Sequence, residues 1–296
     1  MTHLRKPEWL KVEKGRGTCG KVGRMLSSYQ LNSVCEQAGC PNQGECFKNG
    51  TATFLLLGNH CTRNCTFCKV TQDLPEKVDS FEPEHVADAV ADMGLAHVVI
   101  TSVTRDDLPD GGAEHFAKTI RAVRSRVPDA SIEVLIPDFK GDSEALKTVL
   151  RAEPDILNHN VETVPQLYEQ VRPMARFDRS IELLKRVKEY VPSMYTKSGF
   201  MVGLGETAGQ VKLLLKNLHD IDCDIVTIGQ YLQPSLKHYQ VREYVHPDQF
   251  AKYKETGLAL GIPCIASGPL VRSSYHAGTD FEKLKASGNQ QLGSGR

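Results

Sequence analysis

At 296 residues, 40% hydrophobic and 24% charged, the chain has the composition of an ordinary globular protein, long enough for one large domain with extensions. Lys+Arg and Asp+Glu both number 36, so no net field draws the chain to nucleic acid or an anionic membrane, and no apolar run approaches the ~18 residues of a membrane span. Residues 1–14 are polar and do not read as a secretory signal, so the nine cysteines are read in a reducing, cytoplasmic setting, where thiolates serve metals more often than disulfides.

The first fifty residues are loop-like and read as an extension laid over the rest of the chain. They hold C-x4-C-x5-C, formed by Cys35, Cys40 and Cys46 in VCEQAGCPNQGECF. Pro41, Gly39 and Gly44 allow the turns that bring three sulfurs together. From about residue 52 short apolar runs alternate with helical patterns. Strands are expected over 52–58, 97–103, 131–138, 155–160, 196–205, 224–232 and 264–267, too continuously apolar for a sheet with one wet face. Helices are expected over 83–93, 112–127, 142–152, 179–191, 210–221 and 247–260. In 179–191, Ile181, Leu184, Val187 and Val191 recur at helical spacing. Repeated strand–helix units imply a parallel sheet, either a partial barrel or doubly wound, with its chemistry at the C-terminal strand ends.

Cys61, Cys65 and Cys68 come after the first of these strands as C-x3-C-x2-C. Three thiolates in a short loop can hold three irons of a 4Fe–4S cubane and leave the fourth open to a small molecule. Phe67 is placed to shield one side. Structural zinc wants four ligands, usually from paired knuckles, and only Cys65 to Cys68 has that step. The first triplet, Cys35, Cys40 and Cys46, also leaves one iron in need of another ligand. Cys223 and Cys264 flank apolar strands and read as small core residues; Cys19 fits neither triplet. His159 reads as a satisfied loop histidine; Arg105, Asp106 and Asp107 follow the second strand, where they are open equally to a role at the site and to a surface ion pair of little worth.

The two triplets together resemble the lipoyl synthase family of radical S-adenosylmethionine enzymes. The resemblance starts at Lys6-Pro7-Glu8-Trp9-Leu10-Lys11 and is carried by GTATFLLLGNHCTRNCTFCKV (50–70), TSVTRDDLPDGGA (101–113), IEVLIPDFKG (132–141), NHNVETV (158–164), GLGET (203–207), TIGQYLQPS (227–235) and SGPLVRSSYHAG (267–278). Asn59, Phe47, Thr104 and Lys69 depart from the pattern without removing a ligand. The resemblance implies an α/β fold: a partial (β/α)6 TIM-like barrel over 51–268, with extensions 1–50 and 269–296 over its mouth. It implies two 4Fe–4S clusters and S-adenosylmethionine, cleaved at the Cys61, Cys65, Cys68 cluster to a radical. That radical takes hydrogen from carbons 6 and 8 of a protein-bound octanoyl chain, and the second cluster gives sulfur.

By the same resemblance Ser274 is the fourth ligand of the Cys35, Cys40, Cys46 cluster, and Arg272 lies nearby to stabilise charge. An oxygen ligand beside three thiolates is the easiest to release. Asn160, Glu162, Gly205 and Glu206 are the candidates for holding the cofactor. Implied partners are octanoylated carriers (E2 subunits of 2-oxoacid dehydrogenases and the glycine cleavage H protein), a ferredoxin- or flavodoxin-type electron donor and cluster-assembly proteins. Nucleic acid and membranes are not expected. Two other readings stay open at this level: another auxiliary-cluster enzyme, methylthiotransferase-like or biotin-synthase-like, and a zinc-binding module without catalysis.

Overall fold

A computed structural model describes residues 5–11, 20–48 and 52–293; Cys19 lies outside them. One sheet runs in sequence order from β1 to β8. Its strands are β1 (Asn32–Ser33), β2 (Thr53–Leu56), β3 (His97–Ser102), β4 (Ser131–Leu135), β5 (Ile156–Asn158), β6 (Tyr195–Val202), β7 (Ile225–Gln230) and β8 (Cys264–Gly268). From β2 onward every neighbour is parallel, while β1 is antiparallel to β2. All four β2 residues and all six of β7 are buried, as covering both faces requires.

Short helices α1 (Gly20–Ser28), α2 (Val34–Gln37) and α3 (Gln43–Lys48) precede β2, where the sequence reads as loop. Crossovers are made by α4 (Glu82–Met93), α5 (Ala113–Arg126), α6 (Ser143–Leu150), the single turn α7 (Tyr168–Val171) with α8 (Phe177–Tyr190), α9 (Ala208–His219) and α10 (Pro247–Leu260). Six strand–helix units thus lead to a seventh parallel strand, β8, in an open partial barrel. The helix starts reflect local chemistry. Pro83 lies in the first turn of α4 and Pro247 in that of α10, where a missing N–H costs nothing. At α9, Thr207 and Gln210 form a reciprocal capping box. Val211, Leu214, Leu215 and Leu218 of α9 are fully buried, each stabilising by about 1.5–3 kcal/mol. In α8 the buried stripe is Ser180, Leu183, Leu184 and Val187, with the expected Ile181 and Val191 partly buried against the same core.

Strands end two or three residues earlier than the apolar runs suggest, at Leu135, Asn158 and Val202. The remaining apolar residues, Ile136, Val161 and Leu204 among them, stay buried in the loops that rise from the strand ends. The C-terminal extension divides. Residues 269–276 lie at the mouth, whereas α11 (Ala277–Gly293) reaches the opposite end. There the buried Phe281 packs with Ile156, Ile225, Tyr195 and Cys264, and its ring lies 6.1 Å from that of His97. All five are the first residues of their strands. Cys223 is buried in the main core, as the sequence suggests, and Cys264 borders this lower cluster. Among the described residues no helix is long and apolar enough to cross a membrane.

Candidate active site at the barrel mouth

The Cys61–Cys68 loop leaves β2 and is pinned from four sides. Thr62 N–H and hydroxyl both donate to the Thr104 carbonyl, at 3.0 and 2.9 Å. Arg63, nearly fully buried, donates to both Asp106 oxygens and to Asp138 at 2.5–3.0 Å. Thr66 bonds the Gln170 and Val171 carbonyls, and its own carbonyl accepts from Tyr239 N–H. His238 Nε2 lies 3.1 Å from the Cys68 carbonyl. The Arg105–Asp106–Asp107 run is therefore more than a surface ion pair. Arg105 is 3% exposed and donates to the Leu57 carbonyl as well as to Asp107, and Asp106 serves Arg63.

The sulfurs have donors aimed at them. Thr104 N–H points at Cys61 Sγ at 3.4 Å. Arg172 lies beside Cys65, the Val70 amide beside Cys68, and the Asn42 and Gln43 amides beside Cys40, each favouring the thiolate. Burial pushes all three of these thiols up, Cys68 to about 12, and each of them feels another cysteine of its own triplet. Buried thiols with N–H groups nearby, and with Arg172 beside Cys65 and Arg272 beside Cys40, suit the sulfur corners of an iron–sulfur cluster, whose potential such neighbours tune. Among the described residues no three Cys, His, Asp or Glu side chains gather around a point that one metal ion could fill; a cubane takes its thiolates on separate corners.

Around the Cys61, Cys65, Cys68 triplet stand three polar side chains. Arg172, 8% exposed, donates to the Asn160 carbonyl at 3.0 Å, and its Nε is buried without a partner among the described residues. Glu162 is felt by Cys65 and Cys68, and desolvation holds its carboxyl above the ordinary range against the pull of Arg172. It has φ +64°, a left-handed conformation costing about 1 kcal/mol or more in a non-glycine residue, of the kind found at functional sites. Asn160 bonds Glu162 and lies in space left by Gly199, whose Cβ would stand 2.9 Å from Asn160 Oδ1.

The Arg272-Ser273-Ser274-Tyr275 loop joins this group to the Cys35, Cys40, Cys46 triplet. Asn42 Nδ2 donates to the Leu270 carbonyl at 2.8 Å, Arg272 acts on Cys40, and Tyr275 Oη donates to Glu45, next to Cys46. On its other side Ser273 Oγ donates to Asn160 Oδ1 at 3.3 Å. Neighbours of the two triplets also meet: the Lys69 ammonium, next to Cys68, lies 3.0 Å from where a Cβ on Gly39, next to Cys40, would stand. The loop rests on Gly229 of β7, where an added Cβ would fall 2.3 Å from the Val271 carbonyl oxygen. Gly229→Ala is expected to fold and to keep the Cys61, Cys65, Cys68 site, but to displace Arg272 and Ser274; up to half of its iron should be lost to a chelator faster than in the parent.

Glu206 accepts from the Gly203 and Leu204 amides at 2.6 and 3.0 Å, so its carboxylate shapes the turn that holds Gly205. Leu204 of that turn packs in an apolar cluster with Val171 and Tyr231, against which Phe67 of the Cys61–Cys68 loop rests. His159 is satisfied, with Nδ1 on the Ile136 carbonyl and Nε2 on Ser180 Oγ. Arg63, Arg172, Asn42 and Glu45 carry no sequence signal for these roles, because a charge pattern does not distinguish a buried arginine from a solvated one.

Comparison with known proteins agrees with this geometry. The Radical SAM superfamily model matches residues 55–218. The chain is 57% identical to the lipoyl synthase of Caldanaerobacter subterraneus subsp. tengcongensis, covering 93% of this chain and 96% of that one. It is 52% identical to the lipoyl synthase of Alkaliphilus metalliredigens, covering 96% and 98%. The crystal structure of methylornithine synthase, 14% identical, superposes with a TM-score of 0.52 over 94% of this chain and 90% of that one, a likeness of fold.

Proposed function

We propose a division of labour among the residues of this chain, which belongs to the lipoyl synthase family within the radical S-adenosylmethionine superfamily. It is a sulfurtransferase acting on a protein-bound octanoyl group. When bound, one 4Fe–4S cluster supplies the electron that splits S-adenosylmethionine and the other supplies sulfide. Cys61, Cys65 and Cys68 hold the first; Cys35, Cys40, Cys46 and Ser274 hold the second. Arg172 offers a buried cation to the cofactor's carboxylate, and Asn160 and Glu162 take its ribose hydroxyls. Phe67 and Leu204 exclude water from that side. Arg272, beside Cys40, would steady charge at the end of the site where Ser274 would be the fourth ligand.

In this reading 51–268 is the catalytic barrel, 1–50 carries the second cluster's cysteines and 269–296 carries its fourth ligand. Carriers of the octanoyl-lysine are the E2 subunits of 2-oxoacid dehydrogenases and the glycine cleavage H protein. A ferredoxin- or flavodoxin-type protein delivers electrons, and cluster-assembly proteins rebuild the spent site. A cytoplasmic, reducing setting suits six cysteines kept as thiolates.

The observation that carries the reading is the loop 269–276, which touches the Cys35, Cys40, Cys46 triplet through Leu270, Arg272 and Tyr275 and touches Asn160 through Ser273. Anaerobic incubation with an octanoyl-lysyl peptide, S-adenosylmethionine and a strong reductant tests it by mass spectrometry. Two sulfurs added to the peptide are expected; cofactor cleavage with the peptide left unchanged contradicts it.

A further inference from the structure

Below the mouth, inside the barrel, lies a polar group that the reaction does not use. Glu133 of β4 and Lys197 of β6 are 0% and 1% exposed and meet at 2.9 Å. His97 of β3 faces the same carboxylate, with Nε2 3.7 Å from Glu133 Oε2. A buried ion pair is a weak source of stability, since apolar residues of like volume commonly replace one without loss. Its place in the fold suggests another use. The second oxygen of Glu133 accepts from Asn158 Nδ2 at 2.9 Å, and the same nitrogen donates to Ser273 Oγ at 2.8 Å.

The directions of these bonds are forced. Lys197 keeps Glu133 ionised, and a carboxylate only accepts. The Asn158 amide must therefore turn its nitrogen to Glu133, and its remaining hydrogen goes to Ser273. The Ser273 hydroxyl, already an acceptor there, gives its own proton to Asn160 Oδ1, and Asn160 lies beside Glu162, whose charged form it favours. This orientation is kept although it leaves Asn158 Oδ1 buried without a partner among the described residues.

We propose that Glu133, Lys197 and Asn158 are positioning residues: they fix the direction of one hydrogen-bond chain that locks the Ser273–Ser274 loop to the cofactor residues Asn160 and Glu162. The chain holds the sulfur-donating side and the radical-forming side of the mouth at one spacing. The inference deepens the lipoyl synthase reading and rests on it for its consequence in catalysis, but not for the lock itself.

The test is hydrogen–deuterium exchange of the holoenzyme, read by mass spectrometry over 269–276 and, as an internal reference, over 61–68. Glu133→Leu/Lys197→Met is expected to fold, with a modestly lower Tm because Asn158 Nδ2 and His97 lose their buried acceptor. It should exchange roughly tenfold faster at 269–276, with no change at 61–68, and release more 5′-deoxyadenosine per sulfur inserted. Ser273→Ala should do the same and Ser273→Thr, which restores the hydroxyl, should not. Combining Ser273→Ala with the double substitution should add nothing further, because both break one chain. Wild-type protection at 269–276 in the double variant, or effects that add on top of Ser273→Ala, overturns the proposal. If the double variant does not fold, the alanine and threonine variants decide: equal protection in both overturns it. Failure of the parent enzyme to insert sulfur counts against the functional reading alone, because the exchange comparison stands without catalysis.

Discussion

Cys68→Ala is expected to reduce cleavage of S-adenosylmethionine to background. Within its triplet, Cys68 has its thiol pushed furthest up, to about 12, with Cys65 and Cys61 adding to the effect of burial. A buried thiolate is tolerable there only against iron. Removing it leaves a cluster with two protein ligands, and a cubane held at two corners does not retain an open iron for the cofactor. The fold should survive, because the loop is pinned through Thr62, Arg63 and Thr66 and not through sulfur. Anaerobic chromatography for 5′-deoxyadenosine, beside a thermal melt matching the parent, checks both halves. Sustained deoxyadenosine release would mean that another group binds the cofactor.

Cys40→Ala and Ser274→Ala are expected to separate cleavage from sulfur insertion. Cys40 lies beside Arg272 and near the Asn42 and Gln43 amides, all of which favour its thiolate, on the far side of the loop from Asn160. Its loss should leave deoxyadenosine formation within about threefold of the parent, the span usual for a site whose chemistry is untouched, while lipoyl product falls to background. Ser274→Ala should show the same split in weaker form, since an oxygen donor contributes the least to the grip on iron. Equal loss of both activities in Ser274→Ala, or lipoyl product from Cys40→Ala, would place the sulfur source elsewhere.

Much of this arrangement is legible in the chain. The alternation of apolar runs and helical stripes marks every parallel strand and every crossover helix except α7, because burial on both sheet faces leaves an unbroken apolar signature. Both cysteine triplets are plain from spacing. Three things are not. The short helices α1 to α3 have no long apolar stripe, and α2 and α3 are set by turns and by Ser33, whose Oγ accepts from Cys35 N–H. The descent of α11 to the strand starts depends on Phe281 finding five side chains that are far apart in sequence. The role of Arg172 depends on burial, which a single charged residue in the run YEQVRP does not announce. The Gly203–Thr207 turn is legible as a glycine turn, but the sequence does not reveal that Glu206 accepts from the amides of Gly203 and Leu204, a local use that an acidic residue in a tight glycine turn can adopt.

Two thiolate triplets, each gripping its own cube at one barrel mouth, are the premise of this mechanism. Metal analysis with Mössbauer spectroscopy of the anaerobically reconstituted chain, alongside Cys40→Ala and Cys68→Ala, tests that most directly. About eight irons per chain in two 4Fe–4S clusters, about four in each variant and negligible zinc are the expected values. One cluster in the parent chain, or zinc in proportion to protein, would contradict it.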